Sequence, residues 1–287
     1  MVSLVLGGTR YMGVHLVNEL VSLGHDVTIA TRGITTDPFG HRVRRVIADR
    51  YNADSLRNAF AAKSYDLVFD NLAYASNDVR LLMDAVHAKK VVMTSSVSVY
   101  HDFHMDIKET EADTTAHPLK WCDRDDFTYD ETKRQAEAAL FQKYTIPSVA
   151  VRFPWIFGED DYTKRLFFYV DHVLREQAMH VDNLEARLSF IHSREAGHFL
   201  ARIAEMPVLG SVNACSNGTI SIQEIIRYTE ERSGKKAILH EHGDSAPLNG
   251  VPSFCLNTSM AVKAGCAFSH VREWVYPLIA LWVQGVD

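Results

Sequence analysis

The chain opens on an apolar run, Val2–Leu6, that breaks into Gly7-Gly8-Thr9-Arg10-Tyr11-Met12-Gly13 and then into a helical pattern over residues 14–23. Strand, glycine turn and helix in that order leave few architectures open. A strand without polar alternation is covered on both faces, as in a parallel sheet. A tight turn into a helix places unpaired N–H groups and the positive helix end at the carboxyl edge of that sheet, where an anion can sit. Gly7 and Gly13 stand where the turn and the helix–strand packing need them. A second strand expected at 26–30 completes the setting in which such a turn holds the diphosphate of a dinucleotide. A glycine pair without that setting would not carry the reading.

The same rhythm continues. Helices are expected at 55–62, 79–87 and 129–141, and strands at 66–69, 91–94 and 149–152. This alternation is the pattern of an α/β fold with a doubly wound parallel sheet, the Rossmann arrangement. Later, 164–175 and 194–205 read as helices and 212–214 as a strand. Ser221 and Glu224 form a capping box before a helix ending near Gly234, and 269–283 reads as a closing helix. The expected organisation is a dinucleotide-binding unit over 1–158, with 190–216 returning to its sheet. Residues 159–189 and 217–287 would make a small C-terminal substrate-binding lobe. Residues 101–127 are polar, rich in His and Asp, and without periodicity; loops of that length are usually functional or disordered.

Composition excludes several alternatives. With 287 residues and 47% hydrophobic content, the chain can bury a large core and is not a disordered segment. A net charge of −6 gives no general attraction to nucleic acid or anionic membrane. Cys122, Cys215, Cys255 and Cys266 form no CxxC pattern and read as free thiols. With no spanning run and no signal-like start, a cytoplasmic protein is expected. His101, His104, Asp102 and Asp106 lie close together in the long loop, but no helix fixes them, so no metal site is expected there.

Three features point to redox chemistry. The second strand ends at Thr31-Arg32, where an NAD site usually places an acid for the ribose 2′-OH. A guanidinium there favours a 2′-phosphate, and Arg10 adds a second cation; NADP is expected before NAD. Asp49, after 46–48, is placed to meet the adenine. The strand at 91–94 runs into Ser95-Ser96, so hydroxyls face the ligand edge. Tyr129 and Lys133 share a helix face at i, i+4, and an ammonium beside a phenol lowers its pKa. Such a tyrosine can move a substrate proton, and a serine beside it can hold the substrate oxygen.

Together these motifs resemble the extended short-chain dehydrogenase/reductase family, also called the NAD-dependent epimerase/dehydratase family. The matching residues are 7–13, 94–100, 129–133, 152–158 (Arg-Phe-Pro-Trp-Ile-Phe-Gly), 190–193 and 213–215. The resemblance implies that Tyr129 is the general acid/base, Lys133 its partner and a contact of the nicotinamide ribose, and Ser96 the holder of the substrate oxygen, with Ser95 as the register alternative. It implies cofactor contacts at Gly7, Thr9, Arg10, Tyr11, Met12, Gly13, Thr31, Arg32, Asp49, Leu72, Ala73, Thr94, Lys133, Phe153, Pro154 and Ile156, and substrate contacts at Ser96, Ser98 and Trp155. Homodimers through a helix such as 129–141 are usual in that family. Arg10 replaces the family's middle glycine, a variant that resembles a subgroup including reductase-like and chloroplast RNA-binding members.

The expected function is hydride transfer between NADPH and a carbonyl or secondary alcohol. The alternatives are a nucleotide-sugar epimerase or dehydratase with a retained NAD(P), and a non-catalytic nucleotide- or RNA-binding protein. The compact C-terminal region favours a small-molecule substrate over a large nucleotide sugar, and no nucleic acid or membrane partner is expected.

Overall fold

The structure is a computed structural model and describes residues 1–285. In chain order, β1 (Val2–Leu6), α1 (Met12–Ser22), β2 (Asp26–Thr31), β3 (Arg44–Ile47), α2 (Ala53–Phe60), β4 (Ser64–Asp70), α3 (Ser76–Met83), β5 (His87–Ser96), α4 (Tyr129–Lys143) and β6 (Ser148–Phe153) come first. They are followed by β7 (Trp155–Phe157), α5 (Arg165–Arg175), β8 (Ala178–His180), β9 (Arg187–Leu188), β10 (Phe190–His192), α6 (Ser193–Glu205) and β11 (Gly210–Asn213). The chain ends with β12 (Ile220–Ser221), α7 (Ile222–Ser233), β13 (Ile238–Leu239), β14 (Asp244–Ser245), α8 (Ser259–Lys263) and α9 (Val271–Gln284).

Seven strands form one sheet in the order β11-β6-β5-β4-β1-β2-β3. Every pairing in it is parallel. The chain winds outward from β1 through β2 to β3, then returns to β4 on the other side. This is the doubly wound α/β sheet with its reversal between β1 and β4, the place where such sheets bind ligands at their carboxyl ends.

Alternate side chains of one strand serve opposite cores. Val5, Ile29 and Phe69 pack with Leu16 of α1 and Phe199 of α6. Leu4, Val68 and Val91 pack with Leu56 of α2 and Leu140 of α4. A third core joins Leu166 and Val170 of α5, Ile225 of α7 and Val275 and Ile279 of α9. Three short pairings not foreseen in the sequence accompany it: β10 with β7, β12 with β9, and the set β13-β8-β14.

Some boundaries differ from expectation. The helix expected at 79–87 begins at Ser76, because the Asp78 carboxylate accepts the N–H groups of Tyr74 and Ala75 at 2.8 and 3.1 Å and opens the helix there. Residues 87–90 instead extend β5, with His87 opposite Ser64 and Lys90 opposite Leu67. Residues 101–127 contain only a short 3-10 turn at Glu109–Glu111 and lie along α4. Lys120 N donates to Gln135 Oε1 at 2.6 Å, and Gln142 Nε2 donates to Thr114 O and His117 O at 3.1 and 2.7 Å.

Candidate active site

The site lies where β1, β4, β5 and β6 end. The turn after β1 delivers α1 with no acidic residue in its first turn and no side-chain cap; Gly13 N and Val14 N donate to Arg10 O and Tyr11 O at 3.1 and 2.9 Å, so no side chain competes at the helix end. A Cβ on Gly13 would collide with the Gly7 carbonyl oxygen, so only glycine allows the helix to start this close to the strand. Tyr11 adopts φ 55° and ψ −140°, a conformation rare for a side-chain-bearing residue. Its hydroxyl donates to Ile156 O and its ring meets Tyr162 edge-on at 5.8 Å, so side-chain contacts hold the turn in this shape. Burial, then Asp161 and Asp160, raises the Tyr11 phenol far above its usual pKa. These features fit a dinucleotide diphosphate: a tight glycine turn at the strand end, and a helix whose own first turn carries no acidic residue.

Of the other expected cofactor contacts, Thr9 and Met12 are partly open beside the turn, and Arg10 reaches Thr35 Oγ1 at 3.3 Å. At the end of β2, Thr31 Oγ1 accepts Gly33 N at 3.2 Å, and Arg32 is exposed without an ion-pair partner among the described residues. Asp49 is exposed beyond β3, with one carboxylate oxygen accepting Tyr51 N at 3.1 Å. Leu72 and Ala73 follow β4. Phe153 and Pro154 are buried, and Ile156 is partly open. Trp155, expected to face substrate, packs its ring 5.7 Å from that of Phe254 and remains partly open.

Ser95 and Ser96 point apart. Ser95 Oγ donates to the buried carboxylate of Glu137, which pairs with Arg152 at 2.6 Å. Ser96 stays partly open, its Oγ accepts Ser98 N at 3.2 Å, and its hydroxyl is near enough to that of Tyr129 to draw the phenol pKa down. The strand pleat thus leaves Ser96 as the hydroxyl facing Tyr129, with Ser98 partly buried behind it. Tyr129 is 51% exposed. Burial of its phenol raises the pKa; the Ser96 hydroxyl and the charges of Arg165 and Arg124 act in the other direction.

Lys133 lies beneath. Its ammonium donates to Ala73 O at 2.7 Å and to Thr94 O at 3.0 Å, tying the ends of β4 and β5 together. Burial lowers its pKa to about 8 against the charges of Asp70 and Glu137. Where the sequence suggested an ammonium that pulls the phenol down, the structure turns Lys133 to backbone carbonyls, and Tyr129 keeps its proton at neutral pH.

Several supporting residues were invisible in the sequence. Arg50 forks onto Asp70 at 2.7 and 2.8 Å and lies 3.4 Å from Asp78, a buried triad under Leu72 and Ala73. Asn71 accepts from Thr94 Oγ1 at 2.8 Å and donates to Gly7 O at 3.4 Å, joining three strand ends. Tyr74 stands with its ring 6.2 Å from that of Tyr129. A polar residue closing an apolar strand, as at Asp70-Asn71, was the available signal. In the long loop, His104 pairs with Glu111 at 2.6 Å and Asp106 with Asn257 at 2.7 Å, so these groups are turned to different partners. A cavity of about 840 Å³ lies between α6 and α9 and contains none of the expected site residues.

The NAD-dependent epimerase/dehydratase family matches residues 3–215. The chain belongs to that family. It is accordingly an enzyme of this NAD-dependent group. A 2′-dehydrokanamycin reductase of Streptomyces kanamyceticus is 28% identical over 213 residues, covering 70% of this chain and 57% of that protein. A chloroplast stem-loop binding protein of Arabidopsis thaliana is 27% identical over 111 residues, 34% of this chain and 29% of that protein. The chain thus spans less than two thirds of either relative. The fold matches UDP-glucose 4-epimerase of Thermus thermophilus in complex with NAD, at 15% identity, TM-score 0.75 and full coverage of both chains. It also matches the Thermotoga maritima UDP-glucose 4-epimerase with UDP-glucose, at 15% identity, TM-score 0.76 and full coverage.

A dimer through 129–141 finds no open helix face here. Residues 132–140 are all buried, against α3 and the chain's own 101–127 segment. Among the described residues no helix is long and apolar enough to cross a membrane.

Proposed function

We propose that this protein is an NADPH-dependent reductase of a small carbonyl compound, with Tyr129 as proton donor. The observation that carries the reading is the partly open Ser96 hydroxyl at the sheet's carboxyl edge with Tyr129 beside it, above the Lys133 ammonium held by Ala73 O and Thr94 O. A carbonyl oxygen held by Ser96 receives the Tyr129 proton as the bond to hydrogen forms at carbon. When bound, NADPH supplies the hydride. Gly7, Gly13 and the opening of α1 would hold its diphosphate, Arg32 and Arg10 its 2′-phosphate, Asp49 its adenine, and Leu72, Ala73, Phe153 and Ile156 the nicotinamide end. Trp155 and Ser98 would border the substrate, which the segments 159–189 and 217–287 would enclose. The alcohol product leaves Tyr129 as phenolate, to be reprotonated from solvent.

Support for reduction comes from the missing acid after β2 and from the likeness to a reductase that covers 70% of the chain. Epimerase or dehydratase chemistry on a retained dinucleotide is the second reading, favoured by the family match. Fluorescence titration with NADPH and NADH, followed by a carbonyl panel under NADPH, tests the choice. Tighter NADPH binding with net NADPH consumption is expected. NADH preference, or interconversion of UDP-sugars without consumption, would replace the proposal by the second reading.

A further inference from the structure

Of the cations in the long polar segment, Arg124 is the one set over the strand ends, and the reading above does not use it. The segment's backbone is docked on the start of α3 by four hydrogen bonds. Ser76 Oγ donates to Lys120 O at 2.7 Å and accepts Cys122 N at 2.8 Å; Asn77 N donates to Cys122 O at 3.1 Å, and Asn77 Nδ2 to Asp123 Oδ1 at 2.8 Å. The next residue, Arg124, is thereby held over the strand ends. Its guanidinium lies flat on Tyr74, 3.7 Å from the ring centroid, and 5.6 Å from that of Tyr51. One of its N–H groups points at Leu72 O at 3.5 Å.

This cation is only partly neutralised. Its nearest acid, Asp78, lies 4.0 Å away, and that carboxylate already accepts from Tyr74 N and Ala75 N and faces Arg50. The Arg124 side chain is 39% exposed. A guanidinium stacked on an aromatic face keeps its edge N–H groups free for phosphate oxygens.

The position selects which phosphate. Leu72, beneath Arg124, stands against Gly7, since a Cβ on Gly7 would lie 3.0 Å from the Leu72 side chain. Arg124 thus sits on the β4 side of the groove between β1 and β4, at the Leu72 backbone whose side chain abuts Gly7. The end of β2, with Arg32, is two strands from β4, about 10 Å at the usual spacing. A cation over β4 meets the bridge between the two nucleotides rather than a 2′-phosphate over β2.

We propose that Arg124 is an anion-binding arm of this groove, delivered by the 101–127 segment to the diphosphate common to NADH and NADPH. The inference rests on the dinucleotide reading and adds a second positive wall opposite α1. It also gives the long segment a binding role, with Tyr74 as the platform that orients the guanidinium.

Titration of wild type, Arg124→Gln, Arg124→Lys and Arg32→Gln with NADPH, NADH, ADP and AMP decides it. In Arg124→Gln, Kd should rise about tenfold or more for NADPH, NADH and ADP by a similar factor, as for one lost charge-assisted contact, and little for AMP. Arg124→Lys should fall between wild type and Arg124→Gln. Arg32→Gln should weaken NADPH alone. Unchanged Kd values for both dinucleotides in Arg124→Gln would overturn the proposal, as would a loss confined to NADPH. If Arg124→Gln lowers the melting temperature of the ligand-free protein, the ADP-to-AMP affinity ratio of Arg124→Lys decides instead; a ratio equal to that of wild type overturns the proposal. If wild type binds neither dinucleotide, the cofactor reading falls and this one with it.

Discussion

Tyr129 and Lys133 show how position on a helix differs from interaction. Both occupy one face of α4, but Lys133 is fully engaged with the carbonyls of Ala73 and Thr94. The phenol it was expected to acidify is raised by burial. A protonated tyrosine suits proton donation to a carbonyl. Tyr129→Phe should therefore cost about 100-fold or more in turnover. Near-wild-type turnover in steady-state NADPH consumption would remove Tyr129 from the mechanism. Lys133 sets the pH dependence. Below about pH 8 its ammonium is charged and holds Ala73 O and Thr94 O, the strand ends that carry the site. Above that pH the charge is lost, so saturated reduction should decline as pH rises through about 8. The step should be missing in Lys133→Met; a step that persists there belongs to another group.

Among the elements, α1 depends on α6 as well as on its own glycine turn. The two helices pack closely at Gly197, where a Cβ would lie 2.6 Å from His15 Cβ and Leu16 N and 2.7 Å from Met12 O. Most of these atoms are backbone, so the helices must part to admit a methyl group. Gly197→Ala should cost about 1–3 kcal/mol, the usual range for overpacking. It should also weaken dinucleotide binding, because Met12 belongs to the first turn of the anion-binding helix. Urea unfolding and NADPH titration of the same variant check both; unchanged stability would mean that α6 can shift freely. Glycine in an interior helix position carried no signal of this contact, since the partner helix is far away in the chain.

At the scale of the whole molecule, one buried ion pair joins the parts. Glu137 of α4 accepts from Arg152 of β6, from Ser95 of β5, from Thr114 of the long segment and from Ser211 of β11. Arg152 in turn donates to Tyr100, Glu109 O and Ala112 O. Burial raises the Glu137 carboxyl, and Arg152 with the hydroxyl donors outweighs it, leaving the pKa below its usual value. A lowered carboxyl pKa contributes stability above the unfolded value of 4.5, lost as pH falls below it. Glu137→Gln leaves Arg152 charged and buried, and should cost about 3–5 kcal/mol near neutral pH. Urea unfolding at pH 7 measures this directly. A cost under about 1 kcal/mol would show that Arg152 finds a substitute partner. A charge pair buried this deeply lay unsuspected in the sequence, where Glu137 reads as an ordinary helix surface residue.

The doubly wound parallel sheet and the place of the glycine turn were legible in the residues themselves, because hydrophobic period and turn chemistry are local properties; the strand order was not. So were Ser96, Tyr129 and Lys133 as candidates, through their spacing and their places at strand and helix ends. Tertiary structure alone decided which serine faces Tyr129, where the Lys133 ammonium points, and how the 101–127 segment covers α4 and brings Arg124 over the groove. Those outcomes depend on desolvation and on competition among partners far apart in the chain. Neither quantity has a period or a spacing by which a sequence could reveal it.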